Sequence, residues 1–310
     1  MPIEMQVTVI LCTYNRCESL AKTMASLSAL KLPESFGWEV LVVDNNSTDR
    51  TREVVETFCH RYPGHFRYLL EKQQGKSYAL NAGVRESRGK ILAFTDDDVI
   101  VEPTWLLNLT ASLMSGNCVG VGGKTLPELG FTPPKWLGLQ RPYVYGPLGI
   151  FDLGDTPSEL TQPPFGNNMA YRREMFDTYG HFRTELGPRP GSEIRSEDTE
   201  LGQRILRAGQ HLRYEPSAVL YHAIPANRVQ KEYLLTWWAA KSRADVLEAG
   251  VPSDTRLLFF GIPLYLFRRL IVWTLRWILS LDAPKRFDNQ VKVWCLTGAI
   301  KEHFARSQWR

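Results

Sequence analysis

The chain has 310 residues, of which 44% are hydrophobic and 23% charged, with a formal net charge of +4. That composition excludes a disordered chain, a collagen-like fibre and a polytopic membrane protein, and the length accommodates one large domain or two. The charge is unevenly divided. Residues 1–227 carry 23 basic and 26 acidic side chains, whereas residues 228–310 carry 14 basic and 7 acidic ones together with six of the nine tryptophans. Basic charge interleaved with Trp suits an anionic membrane surface, since Trp favours the interface and Lys and Arg are drawn to acidic lipid. A nucleic-acid surface would draw on the same ingredients.

Along the first third, short apolar runs alternate with amphipathic stretches. Val7 to Cys12 reads as a buried strand, followed by a helix through Leu20, Met24, Leu27 and Leu30. Trp38 to Val43 repeats the strand signal, and Ser47-Thr48-Asp49 offers an N-cap before a helix carrying Val54, Val55 and Phe58. Phe66 to Leu70 reads as a third strand, Ser77 to Glu86 as a helix and Ile91 to Phe94 as a fourth strand. Continuous apolar runs mean strands covered on both faces, which predicts a parallel, doubly wound α/β sheet.

Residues 125–165 are rich in Pro, Gly and aromatics such as Phe131, Trp136, Tyr143 and Tyr145 but lack periodicity, so a long irregular segment is expected there. Regular structure returns with Asn168 to Tyr171, a helix after Arg172, a helix from Glu197 to Ala208 and a strand from Ala218 to His222.

Residues 257–281 are the most apolar stretch. A spanning helix there would bury Arg268, Arg269 and Arg276 at about 2.5–3.5 kcal/mol each. On a helical wheel of about 100° per residue these arginines and Ser280 share an arc of about 120°, as in an in-plane amphipathic helix. A helix packed on the domain with its Arg face wet is the alternative. The five cysteines form no CxxC pair, so neither a disulfide framework nor a zinc knuckle is expected. The N-terminus has no basic region before its short apolar run, so a signal peptide is not expected and a cytoplasmic location is the default.

Ligands of open α/β sheets bind beyond the carboxyl ends of the strands. The most polar sequence falls at those ends: Thr13-Tyr14-Asn15-Arg16, Asp44-Asn45-Asn46-Ser47 and Asp96-Asp97-Asp98. Three adjacent carboxylates repel one another, and a hard divalent cation, Mg²⁺ or Mn²⁺, resolves that repulsion. The alternative is an N-cap and surface role ahead of the helix at Pro103. Metal at a strand end invites a diphosphate. There is neither a Walker loop nor a GxGxxG turn after a strand, which weakens ordinary phosphoryl-transfer and dinucleotide readings.

These stretches, with Gly75-Lys76-Ser77-Tyr78-Ala79-Leu80-Asn81-Ala82-Gly83, Gly166-Asn167-Asn168-Met169-Ala170 and Ser196-Glu197-Asp198-Thr199-Glu200-Leu201-Gly202, resemble the family 2 glycosyltransferases of GT-A fold, in order from about residue 6 to 228. The resemblance implies a Rossmann-like, mostly parallel central sheet with flanking helices. The expected organisation is a catalytic domain over 1–228, with a nucleotide-binding half (1–124) and an acceptor-binding half (125–228). A helical, basic, Trp-rich membrane-associating region would follow over 229–310.

By the same resemblance, Thr13, Tyr14 and Asn15 surround the nucleotide base, Asp44 accepts from its ring N–H, and Lys76 reaches the base or diphosphate. Asp96 and Asp98 form the DxD pair, with Asp97 between them on the donor side. Asp96, Asp98 and His222 are the candidate metal ligands, although His222 alone could be an ordinary core histidine. Arg228 could reach the leaving diphosphate, and Asn168 could line the acceptor site.

Asp198, beside Glu197, is the candidate catalytic base, since an acceptor hydroxyl must lose a proton as it attacks the anomeric carbon. A helix-capping acid pair is the structural alternative. A single displacement, inverting the anomeric centre, is implied.

A polyprenyl phosphate acceptor is already anionic and needs no base, so Glu197-Asp198 favours a hydroxyl acceptor such as a glycan or lipid-linked saccharide. The donor is a nucleoside-diphosphate sugar, UDP-linked by family habit, and no nucleic-acid partner is expected. Gln230 to Trp238 lacks the QxxRW element of processive members, which favours one sugar per encounter at the cytoplasmic membrane face. Two rivals compare poorly. A nucleotidyltransferase would carry a Gly-rich basic loop after the first strand, and a non-catalytic scaffold would be expected to have eroded acidic positions.

Overall fold

The computed structural model describes residues 4–134, 136–137, 142–192, 194–250, 255 and 257–307, with nothing described of the side chains of residues 142–144. Trp309, and the side chain of Tyr143, lie outside that description.

In chain order the elements are β1 (Val7–Thr13), α1 (Cys17–Ser28), β2 (Trp38–Asp44), α2 (Thr51–Arg61), β3 (Phe66–Leu70), α3 (Lys76–Glu86), β4 (Ile91–Thr95), β5 (Val99–Val101) and α4 (Trp105–Met114). There follow β6 (Gly120–Pro127), α5 (Pro142–Leu148), β7 (Ser158–Leu160), β8 (Asn168–Arg172), α6 (Glu174–Tyr179), α7 (Glu197–Arg207) and β9 (Leu212–His222). The chain closes with α8 (Lys231–Ala249), β10 (Leu258–Phe259), β11 (Ile262–Pro263), α9 (Leu264–Leu279) and α10 (Ala283–Ser307).

The chain divides into two compact units. The first comprises residues 1–130, 149–190 and 197–223, and the second 131–148, 191–196 and 224–310. All of β1 to β9 lie in the first unit, in one sheet ordered β3-β2-β1-β4-β8-β6-β9-β5, with β7 on β9. β3, β2, β1 and β4 run parallel, whereas β8 is antiparallel to both of its neighbours, β4 and β6. Strand order therefore reverses between β1 and β4, and the crevice at their carboxyl ends is where such sheets take ligands.

The continuous apolar runs are explained by this burial. Val7, Val9 and Leu11 of β1 with Val40 and Val42 of β2 pack under α1 and α4 side chains such as Met24 and Trp105. Ile10, Leu41 and Val43 point the other way, onto Leu80 of α3 and Leu201 of α7. Alternate residues face opposite layers, and both layers are apolar.

Three features depart from expectation. β6 occupies a stretch for which no strand was expected, β9 begins at Leu212 rather than Ala218, and the 125–165 segment contains α5 and β7. Glycine explains β6. A Cβ on Gly123 would lie 2.4 Å from the Ala218 carbonyl, and one on Gly120 would lie 2.5 Å from the Tyr171 ring. These glycines permit close packing within a sheet that propensity alone argues against. In β9, the register against β6 shifts between Gly123 and Lys124, where Glu215 and Val219 are the successive partners. The chain around Pro216 is thus accommodated as a bulge.

In the second unit α10 packs against α8 and α9. Gly298 lies so close to α8 that a Cβ there would sit 2.2 Å from the Ala239 carbonyl. Arg243 of α8 pairs with buried Glu302 of α10 at 3.0 Å. Trp277 and Trp294 meet edge to face between α9 and α10. The 257–281 stretch is therefore a short hairpin followed by a helix whose inner face is packed, and no helix among the described residues is long and apolar enough to cross a membrane.

Candidate active site

The carboxyl ends of β1, β2 and β4 bring the polar stretches together. Thr13 ends β1 opposite Asp44 in register, and its hydroxyl donates to Asp97 Oδ2 at 2.7 Å. Asp44 is buried and accepts from the Ser47 backbone N–H and the Tyr68 hydroxyl, both at 2.8 Å. Burial and that bond to Asp44 push the Tyr68 phenol up to about 12. A carboxylate has about four lone-pair sites, so Asp44 retains capacity for a further donor.

Asn15 and Asn46 sit at φ of 52° and 67°, a left-handed conformation that Asn tolerates. The Asn15 side-chain oxygen accepts from the Thr48 backbone N–H at 2.7 Å, so this residue ties the β1 loop to the β2 loop. Tyr14 beside it is exposed.

The three consecutive aspartates have three different surroundings. Asp96 pairs with Lys76 Nζ at 3.0 Å. Asp97 is buried, with one oxygen held by Thr13 and the other by Arg16 Nη1 at 3.0 Å. Burial raises its carboxyl to about 6, reinforced by Asp98 and partly offset by Arg16. Asp98 Oδ2 accepts from the same Arg16 nitrogen at 2.9 Å, and its Oδ1 lies 3.3 Å from His222 Nε2. His222 ends β9 opposite Val99, so the β5–β9 pairing is what carries the imidazole to Asp98. Over His222, Gly149 lies so close that a Cβ would be 3.1 Å from Nδ1.

Lys76 opens α3 directly after Gly75, whose φ of 139° lies in the left-handed region that favours glycine. Its Nζ is 3.0 Å from Asp96 and 3.6 Å from Glu197 Oε1. Burial disfavours its charged form, but Asp96, Glu197 and Asp198 outweigh that and raise its pKa. Glu197 is buried in the first turn of α7. Asp198 Oδ2 accepts from the Gly166 backbone N–H at 2.6 Å, and Oδ1 from its neighbour Thr199 at 2.7 Å. Lys76 thus links the strand-end aspartates to the acid pair of α7.

Three expectations change. Asn168 does not line a binding surface. It is buried, its oxygen accepts from Trp105 Nε1 at 2.8 Å, and its amide donates to the carbonyls of Lys124 and Ala218, both at 3.0 Å. These bonds join β8 to β6, β9 and α4. Asp97 likewise is an internal carboxylate with both oxygens engaged, not a donor-facing one.

Asp96, Asp98 and His222 do not form one ligand set: Asp96 pairs with Lys76, whereas Asp98 faces Arg16 and His222. Among the described residues no group of three or more His, Cys, Asp or Glu side chains is placed to hold a metal ion. Asp98 and His222 remain adjacent, and such a pair fits a cation that completes its shell with substrate phosphates and water. Arg228 lies in the second unit, where its backbone N–H bonds the Pro225 carbonyl.

Sequence reasoning assigned no role to Arg16 or Asn45. Asn45 accepts from the Gly75 N–H at 2.7 Å and donates to the Glu71 and Gln73 carbonyls, shaping the turn that presents Lys76. The signal available was their position in polar runs immediately after strands.

The glycosyl transferase family 2 model matches residues 8–180, more than half of the chain and most of these loops. The chain belongs to glycosyl transferase family 2. The succinoglycan biosynthesis protein ExoM of Rhizobium meliloti is similar to this glycosyltransferase, at 29% identity over 245 residues, 78% of this chain and 74% of ExoM. Glycosyltransferase AglE of Haloferax volcanii is 37% identical over 220 residues, 70% of this chain and 66% of AglE. Among solved structures, mannosyltransferase PcManGT from Pyrobaculum calidifontis, in complex with GDP-Man and Mn²⁺, superposes with a TM-score of 0.65 at 19% identity, covering 97% of this chain and 88% of that one. At that identity the likeness establishes the GT-A fold of the glycosyltransferase.

Proposed function

We propose that this glycosyltransferase moves a sugar from a nucleoside-diphosphate sugar to a hydroxyl of a glycan or lipid-linked saccharide, by one inverting displacement, at the cytoplasmic membrane face. The observation that carries the reading is the Lys76 bridge, which joins the aspartates after β4 to the Glu197-Asp198 pair of α7. Through that bridge Lys76 would keep the donor-side aspartates and the base-side acids together at the strand ends. Thr13, Tyr14, Asn15 and Asp44 border the nucleoside side, and the free lone pairs of Asp44 suit a base N–H.

Asp98 and His222 would hold the divalent ion, Mn²⁺ or Mg²⁺, with the mixed oxygen and nitrogen donors suiting Mn²⁺ better than the harder Mg²⁺. When bound, the ion would neutralise charge developing on the leaving diphosphate. Asp198 takes the proton of the acceptor hydroxyl as its oxygen bonds the anomeric carbon. The bond from that carbon to the diphosphate oxygen breaks, and the nucleoside diphosphate departs with the electron pair. Lys76 holds Asp96 and offers an ammonium toward the diphosphate.

Thermal shift with UDP, GDP and dTDP, each with and without Mn²⁺, tests the donor side. Metal-dependent stabilisation by one nucleotide is expected, with UDP favoured by family habit and GDP the first rival. No shift with any of them would overturn the reading. Transfer assays with radiolabelled donors separate the acceptors: a polyprenyl phosphate that accepts sugar equally well in an Asp198→Asn variant would replace the hydroxyl reading.

A further inference from the structure

Among its described residues the second unit presents an exposed apolar surface. In α9, Leu266 is buried against Ile262 and Leu296, with Phe267, Leu270 and Trp273 packed beside them, which accounts for one side of the helix. On the opposite side Leu264, Ile271, Leu275, Ile278 and Leu279 are exposed, Ile271 by 63% and Ile278 by 61%. The hairpin that leads in adds Leu258, Phe259 and Phe260. Phe260 and Gly261 at its tip have φ of 49° and 72°, so a bulky aromatic is held outward in a left-handed turn where small residues are usual. Contiguous exposed apolar surface of this kind marks a contact with another phase or molecule.

Charge identifies the occupant. At about 100° per residue Arg268 falls inside the exposed apolar arc, and Arg269 and Arg276 form one margin of it, with all three exposed. A protein partner would have to bury Arg268 among Leu and Ile without a counter-charge. A lipid interface lets the same side chain extend its guanidinium to phosphate while its stem stays in the apolar layer. The helix has 16 residues, fewer than the roughly 20 needed to span a bilayer, which fits an in-plane position.

We infer that the β10–β11 hairpin and the outer face of α9 form an insertion surface for an anionic bilayer, with Phe259 and Phe260 as the wedge and Arg268, Arg269 and Arg276 on the headgroup phosphates. This deepens the membrane-face part of the proposed function and does not depend on the sugar-transfer chemistry.

Co-sedimentation of the full chain with phosphatidylcholine vesicles, with and without phosphatidylglycerol, tests it. Binding to the anionic vesicles is expected. It should weaken at least about tenfold in an Ile271→Ser, Leu275→Ser, Ile278→Ser triple variant with unchanged thermal melt. An Arg268→Glu, Arg269→Glu variant should lose the preference for phosphatidylglycerol. Absence of vesicle binding by the parent protein would overturn the inference. So would a concentration-dependent dimer abolished by the triple variant, which would make the face a contact between copies. Nucleotide-induced thermal shift, measured without vesicles on the same samples, keeps failure here separate from failure of the catalytic reading.

Discussion

Gly166 donates its backbone N–H to Asp198 Oδ2 at 2.6 Å, and a Cβ on Gly166 would lie 2.9 Å from that same oxygen. The residue before Asn167 is thus kept small by the carboxylate that it orients. A Gly166→Ala variant should fold but displace Asp198. The expected result is a roughly 10- to 100-fold fall in kcat with donor KM little changed, because positioning errors of about 1 Å cost that much. Asp198→Asn should lose about 10²–10⁴-fold in transfer while keeping its nucleotide-induced thermal shift. Near-normal transfer by Asp198→Asn would remove Asp198 as the base.

Asp98 and His222 face each other at 3.3 Å, each buried. Asp98→Asn and His222→Gln should each weaken Mn²⁺-dependent nucleotide binding by about 10- to 100-fold, a typical cost of disturbing a metal site. EDTA should abolish the nucleotide shift of the parent protein. Titration calorimetry with Mn²⁺ and nucleotide reads both effects, and unchanged Mn²⁺ dependence in both variants would move the metal elsewhere.

Asn168 connects three elements through bonds to Trp105, Lys124 and Ala218. Asn168→Ala should therefore act on stability, by about 2–4 kcal/mol, since it strands buried backbone carbonyls and an indole N–H. Urea unfolding measures this. A variant of normal stability with a raised acceptor KM would restore the binding role expected from the sequence.

Asp49 caps two helices at once, accepting from the Cys17 N–H at 2.9 Å at the start of α1 and from Thr51 at the start of α2. Burial acts in the opposite direction, but these hydrogen bonds prevail and lower its carboxyl to about 2 from an ordinary 3.8. A carboxylate stabilised in the folded state contributes fully above its unfolded pKa and loses that contribution as pH falls toward the folded value. Asp49→Ala should cost about 1–2 kcal/mol near neutral pH. The gap between parent and variant melting points should hold steady above about pH 4 and shrink below it. A gap independent of acid would mean that the charged cap contributes nothing.

Much of the first unit was legible from residue order. The apolar runs at Val7, Trp38 and Ile91 gave β1, β2 and β4 because a strand buried on both faces leaves an unbroken hydrophobic signature. β6 was not legible, because Gly120, Gly122 and Gly123 give no strand signal of their own, and their room for Tyr171, Pro164 and Ala218 shows only in the folded chain. Long-range packing overrode local propensity there. The strand-end aspartates were also visible in advance, but their division of labour was not. Whether a carboxylate faces Lys76, Arg16 or His222 depends on partners 20, 82 and 124 positions away, brought near by β-pairing.

By itself the sequence determined a doubly wound α/β sheet with polar residues at its strand ends, because hydrophobic periodicity is a local property, and its short motifs carried the resemblance to a glycosyltransferase family. Only the tertiary structure decided that Asn168 belongs to the core, that Asp97 is an internal counter-ion and that Ile271, Leu275 and Ile278 of α9 are exposed. Those outcomes turn on which distant groups satisfy each buried donor, acceptor or apolar face, and nothing local in the chain encodes that pairing.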